Sequence, residues 1–204
     1  MTRAAALVAL AVAGCVALGA CTISRPALQR QLFVLHAERA GPPAIARKPV
    51  ALKVGVISVV PTYSGRSLTY RTGELRRAAD PYAGFFAAPR DLIAEEVAQW
   101  LDRSGLFAAV RDPASPVGAP YVLDGVVTEL YGDVRDPGSA AAVVAVRFHL
   151  HTENDRNNPL FERAYAQRIE VGNGAPATLV KGYGDALGRI LADLEADLAK
   201  LDLK

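Results

Sequence analysis

Beyond residue 21 the chain contains no cysteine: its only two, Cys15 and Cys21, stand near the start of the 204 residues. A disulfide framework is thereby excluded from the folded part, and so is a cysteine-based metal site. Histidine is almost as scarce, with three copies, His36, His149 and His151. His149 and His151 are two apart on a predicted strand and share a face, but a zinc site needs at least three protein ligands and only His36 is left to supply another imidazole. The pair reads as solvated face residues, and no metal or other cofactor is expected. An excess of charge is missing too: 23 Lys and Arg face 21 Asp and Glu, a net charge of +2 with no polybasic run. That balance argues against a nucleic-acid partner held by bulk electrostatics. No phosphate-cradling glycine loop is present, so the chain is not expected to bind ATP itself. Neither Ser64 nor Ser67 lies in a Gly-x-Ser-x-Gly elbow that would make it a nucleophile with His149 as base. No catalytic residue is assigned, and the chain is read as a non-enzyme.

What is present begins with a leader. Met1-Thr2-Arg3 is followed by uncharged residues from Ala4 to Ala20, the charged start and apolar middle of a secretory signal. The run is short for a membrane span and ends in Leu18-Gly19-Ala20-Cys21, which looks like a bacterial lipobox. In such lipoproteins the Cys thiol becomes a thioether to diacylglycerol and the leader is cut just before it. Val12-Ala13-Gly14-Cys15 is a second match. Cleavage there would leave an apolar middle at the short edge of the usual range and strand Val16 to Ala20 as a greasy tail. Cys21 is therefore the favoured lipidation site and Cys15 the alternative. The domain scheme is a signal peptide over 1–20, a polar tether over 21–30 and one folded domain over 31–204. About 184 residues remain after the leader, enough for a single core.

Residues 31–37 read as a first strand and 51–60 as a nearly continuous β-branched run, the pattern of a central strand buried on both faces. Residues 67–71 make a short strand, followed by an irregular crossing rich in Gly, Asp, Pro and aromatics. Pro89 suits a first helical position, and Leu92, Ile93, Val97, Trp100 and Leu101 fall on one side of a helix that Gly105 ends. Trp100 is assigned to the core. A short strand over 108–111 and three longer ones over 121–131, 140–151 and 160–171 follow. Val144, Val146, Phe148 and Leu150 alternate with Arg147, His149 and His151, so that strand is wet on one face. From Pro176 to about Leu201 runs a long amphipathic helix. Val180, Tyr183, Leu187, Ile190, Leu194 and Leu201 mark its core side, with Asp185, Arg189, Asp193 and Asp197 opposite. Gly182, Gly184 and Gly188 permit close packing in its first half. The fold class that follows is α+β: one mixed, mostly antiparallel sheet of five to seven strands with two main helices on one face.

The order of features between Tyr63 and Val110 carries a family likeness. Gly65-Arg66, Tyr70-Arg71, Tyr82, Pro89, Trp100-Leu101 and Ser104-Gly105-Leu106-Phe107 resemble the ABC-type transport auxiliary lipoproteins, which include the PqiC-like proteins. The resemblance implies a lipid-anchored periplasmic subunit of an MCE-associated lipid transport system serving membrane integrity. Its implied partners are an ABC permease, an ATPase and an MCE-type substrate-binding protein, and it allows an oligomer. Thr22 after the Cys is not Asp, which by the usual sorting habit points to the outer membrane. Arg66, Tyr70, Arg71 and Tyr82 are candidate partner contacts, because Arg and Tyr are enriched at interfaces; the plainer reading pairs Arg71 with Glu74 or a helix carboxylate. Two rivals stand beside this one. A lipid carrier would show a cavity lined by residues such as Phe85, Phe86 and Leu187, and a hydrolase would gather a Ser and a carboxylate around His149.

Overall fold

The computed structural model describes residues 29–43, 47–136 and 138–204. The expected leader and both candidate lipidation sites, Cys15 and Cys21, lie outside the described residues, as does most of the tether. In chain order the elements are β1 (Gln31–Phe33), β2 (Lys48–Val59), a 3-10 turn (Pro61–Tyr63), β3 (Ser67–Arg71), β4 (Arg77–Phe85), α1 (Pro89–Ser104), β5 (Phe107–Arg111), β6 (Tyr121–Asp133), β7 (Ala140–Thr152), β8 (Phe161–Gly172) and α2 (Pro176–Lys200).

β6 organises the sheet. Along one edge it pairs antiparallel with β7 from Tyr121 opposite Thr152 to Asp133 opposite Ala141, and β8 adds outside β7. Its other edge is shared in sequence by two strands. β2 runs parallel beside its first half, the chain breaks at the 3-10 turn, and β3 rejoins β6 at Gly132 and Asp133. β5 extends the sheet from β2; β4 and then β1 extend it from β3. Eight strands result, in ladders that are antiparallel over most of their length. The count exceeds the expected range because β4 is a strand. Asp80-Pro81 in its middle reads as a breaker, yet the ladder to β3 absorbs both in a bulge.

Both helices lie on one face, as the pattern predicts, α1 over β2 and β5 and α2 over β7 and β8. Ala88 is extended before Pro89, Asp91 sits in the first turn, and Gly105 closes α1 at φ +66°, a left-handed conformation that glycine adopts without strain. The predicted stripe of α1 is buried throughout, Trp100 included. In α2, Val180, Tyr183, Leu187, Ile190 and Leu194 are buried as spaced. Asp197, expected on the solvent side, is buried as well: its carboxylate accepts hydrogen bonds from the Tyr165 hydroxyl at 2.8 Å and from Arg163 and Lys200 at 2.7 and 2.9 Å. Each large apolar side chain so enclosed contributes about 1.5–3 kcal/mol.

Two strands differ from expectation in a way that shapes the surface. β2 is central but covered on one face only: Val50, Leu52, Val54 and Ile57 are buried, whereas Val56, displaced by a register shift between Val54 and Ile57, is 60 % exposed. β1 ends at Phe33. The chain then leaves the sheet edge and passes between the helices, burying Leu35 and Ala37. There the Ala37 N–H donates to the Glu96 carboxylate at 2.7 Å, and Arg39 donates to both Glu195 oxygens at 2.8 and 3.0 Å. The Trp100 indole N–H donates to Glu195 from the other side at 2.8 Å. A Cβ at Gly184 would collide with the His36 carbonyl oxygen, which is why the helix presents glycine there. No helix among the described residues is long and apolar enough to cross a membrane.

Candidate docking surface

The corner formed by β1 and β4 carries four of the eight large apolar side chains that the core leaves outside among the described residues. Its shape comes from Asp80. One carboxylate oxygen accepts the N–H groups of Tyr82 and Ala83 at 2.8 and 2.9 Å, and the other accepts the Tyr70 hydroxyl at 2.6 Å. Between Thr69 opposite Ala79 and Ser67 opposite Gly84, four residues of β4 are taken up against one of β3. Burial by itself would raise the Asp80 carboxyl, but the Tyr70 hydroxyl, the two N–H groups and nearby Arg30 outweigh it and hold it below the usual carboxylate range. Burial, reinforced by Asp80, pushes the Tyr70 phenol up. The knot therefore stays ionised and locked at neutral pH.

Past the bulge, strand alternation sorts the residues. Ala83 and Phe85 turn into the core, while Tyr82 and Phe86 turn out, 51 % and 63 % exposed. β1 lies parallel with Leu32 beside Gly84, and the Phe86 N–H donates to the Phe33 carbonyl at 2.7 Å. This sets Leu32 and Val34, 45 % and 63 % exposed, next to Tyr82 and Phe86. Arg66 donates to the carbonyls of Phe85, at 3.1 Å, and of Phe86. Arg30 donates to the Ser67 hydroxyl at 3.0 Å. The result is an apolar surface of four large side chains with two arginines at its rim, the make-up of a protein-binding patch.

Of the predicted contacts, Arg66 and Tyr82 meet at this corner. Tyr70 supports it from beneath as the Asp80 partner. Arg71 stands apart at the far end of β3, where its Nε has no hydrogen-bond partner, so neither Glu74 nor a helix carboxylate holds that atom. Leu32 and Val34 escaped the sequence reading, and Phe86 was named there only as lining a carrier's cavity. Their one signal is that residues 32–35 are apolar on both strand faces, more than an edge strand over a single core can bury.

The other candidates fall differently. His149 lies on the uncovered face, 3.6 Å from Glu162. His151, expected to be solvated, is buried: its Nε2 is 3.1 Å from Asp124 and its Nδ1 2.7 Å from the Thr152 carbonyl. Among the described residues no three His, Cys, Asp or Glu converge as metal ligands. Ser64 donates to the Pro61 carbonyl and Ser67 is held by Arg30, and the partners of both histidines are others. Phe85 and Leu187 are inside the core while Phe86 points outward, so these three do not line a common cavity. A cleft of about 650 Å³ opens beside Val56 on β2 and is lined by mixed charges, among them Lys53, Asp91, Glu153 and Arg156.

No family model matches the sequence, and no curated protein matches it significantly. Solved structures do resemble it. Protein XCC0632 from Xanthomonas campestris, of the family described as DUF330, shares the fold at a TM-score of 0.70 and 17 % identity over 80 % of this chain and 92 % of that one. An uncharacterized protein aligns at a TM-score of 0.59 and 13 % identity over 84 % and 97 % of the two chains. A weaker likeness, TM-score 0.41 with 14 % identity over 75 % and 100 %, is to lipoprotein GNA1162 from Neisseria meningitidis. The first of these likenesses establishes that the chain has the fold of XCC0632.

Proposed function

We infer that this protein is a lipid-anchored, periplasm-facing envelope lipoprotein that docks components of an ABC-type, MCE-associated lipid transport system. It works by binding rather than by chemistry. The observation that carries the reading is the Leu32–Val34–Tyr82–Phe86 patch, exposed at the root of the segment that leads back to Cys21. A module whose task is to meet a partner needs such a surface, whereas a carrier needs a cavity. The lipobox supports the anchor, since the two or three acyl chains of a lipoprotein hold a bilayer where one chain does so only marginally. Placement in the outer membrane follows from Thr22. The partners in this reading are the permease, the ATPase and the MCE-type substrate-binding protein.

Extraction from membranes in mild detergent, followed by mass spectrometry of co-purifying proteins and lipids, tests the reading. The wild-type chain is expected to bring down a transporter component. Phe86→Glu, at an exposed position, is expected to lose it by at least tenfold with an unchanged thermal midpoint, as for an aromatic anchor worth ~2 kcal/mol. Stoichiometric bound lipid with no protein partner would instead favour the carrier.

A further inference from the structure

The turn between β3 and β4 is the most conspicuous exposed feature that the docking surface does not use. The Thr72 N–H donates to the Arg76 carbonyl at 3.1 Å and closes the hairpin, which puts Leu75 at its apex, 96 % exposed. Arg71, Arg76 and Arg77 surround it, and Glu74 is the only acid in that stretch. The Nε atoms of Arg71 and Arg77 are buried without a hydrogen-bond partner. The Arg77 Nη1 donates to the Arg76 carbonyl at 3.2 Å, and the Arg77 guanidinium lies over the Tyr131 ring at 5.1 Å. Both side chains are half-exposed, with their outer nitrogens toward solvent. The adjacent acids are engaged elsewhere: Asp133 by Arg135 and Arg168, Glu170 by Arg168 and Ser139, and Asp136 by the Gly138 N–H. An isolated, fully exposed leucine ringed by arginines has no role in the core. It has the composition of an element that meets a headgroup layer, with an apolar tip to bury and cations to pair with phosphate.

Topology places the hairpin on the side from which the chain enters β1. β1 is parallel to β4, with Gln31 beside Ala83, so the chain upstream of Gln31 is directed toward Arg77 and the turn. Arg30, the last residue before β1, acts on Asp80 along that route. From the level of Ser67 to that of Arg71, β3 advances four residue steps, about 13 Å. The nine residues from Thr22 to Arg30 reach at most about 30 Å. A tether of that reach is long enough for the bilayer that holds Cys21 to meet the turn.

We propose that the β3–β4 turn is a membrane-contact element, with Leu75 entering the headgroup region and Arg71, Arg76 and Arg77 binding anionic phospholipid in the leaflet that carries the acyl anchor. The proposal rests on the lipid-anchored reading above. It fixes the orientation of the domain, which that reading leaves open.

The test uses full-length protein extracted from membranes, and the lack of cysteine after Cys21 allows a single label. Leu75→Cys and, at the opposite end of the sheet, the exposed Leu160→Cys carry an environment-sensitive fluorophore. Both are reconstituted in phosphatidylethanolamine–phosphatidylglycerol vesicles with brominated acyl chains. The label at position 75 is expected to be quenched and that at 160 not. Arg76→Gln is expected to lower the quenching at 75 about fivefold, the weight of one arginine near an anionic surface, and replacement of the anionic lipid by phosphatidylcholine, which removes the attraction of all three, is expected to lower it further. Intact mass of the same samples reads the anchor independently. Acylated protein quenched no more at 75 than at 160 overturns the hairpin assignment and leaves the anchor standing. Protein without acyl chains overturns both.

Discussion

Alternate residues of β7 meet two different solutions to the same problem. Ala142, Val144, Val146, Phe148 and Leu150 face the helices, none more than 1 % exposed. On the reverse face, which no helix covers, Ala141 and Val143 are buried as well, but beneath polar neighbours. Tyr63 stacks on Tyr131 at 5.8 Å with Arg77 above that ring, and Arg135 and Arg168 close over Asp133. At the other end of this face Asp124 ties together His151, Arg156 and the Val56 N–H. One face is held by apolar area and the other by paired charge. The first should be insensitive to pH and the second should not.

The sharpest way to break the comparison is Phe148→Ala, which empties a fully enclosed site on the apolar face. It is expected to cost about 3–5 kcal/mol in urea unfolding and to leave the shape of the stability-against-pH curve unchanged. Asp133→Asn strikes the other face. Hydrogen bonds from Arg135 and then Arg168 outweigh burial and hold the Asp133 carboxyl well below the usual carboxylate range. A carboxyl depressed in the folded state adds stability above its unfolded value, near 4, and loses it as the pH falls toward the folded one. The variant is therefore expected to be weaker by about 1–3 kcal/mol at neutral pH, since the arginines it leaves behind are still partly solvated. Its gap from wild type is expected to close as the pH drops below about 4. An undiminished gap in acid would show that charge pairing is not what seals this face. The smallest effect belongs to His149→Ala, half-exposed beside Glu162, which is expected to move the unfolding midpoint by no more than about 0.5 kcal/mol.

How far the sequence reached follows the same division. Both helices were legible because their signals are local: Pro89 and Gly105 bracket α1, and the spacing of Leu and Ile from Val180 to Leu194 marks α2. The alternation along β7 was legible for the same reason. Asp197 and His151 were placed in solvent because a charged residue declares its burial only through partners distant in sequence, here Tyr165 and Asp124. β4 was hidden by Asp80-Pro81, whose turn chemistry is real but folded into a bulge. At the candidate site, Arg66 and Tyr82 could be named from composition. Leu32 and Val34 could not, and Phe86 could be named only as a cavity residue, since an apolar residue advertises burial and only the registry of β1 on β4 shows which of them are left outside.

The parallel seating of β1 also has a mechanical side. If the domain is held to a bilayer through its amino end, any tension along that leash runs parallel to the β1 axis. It loads the hydrogen bonds to β4 all at once, in shear, instead of unzipping them singly. Behind them, the Ala37 amide on Glu96 and the Arg39 fork on Glu195 act as a second catch. The attachment is thereby strongest in the direction in which a tethered module is pulled.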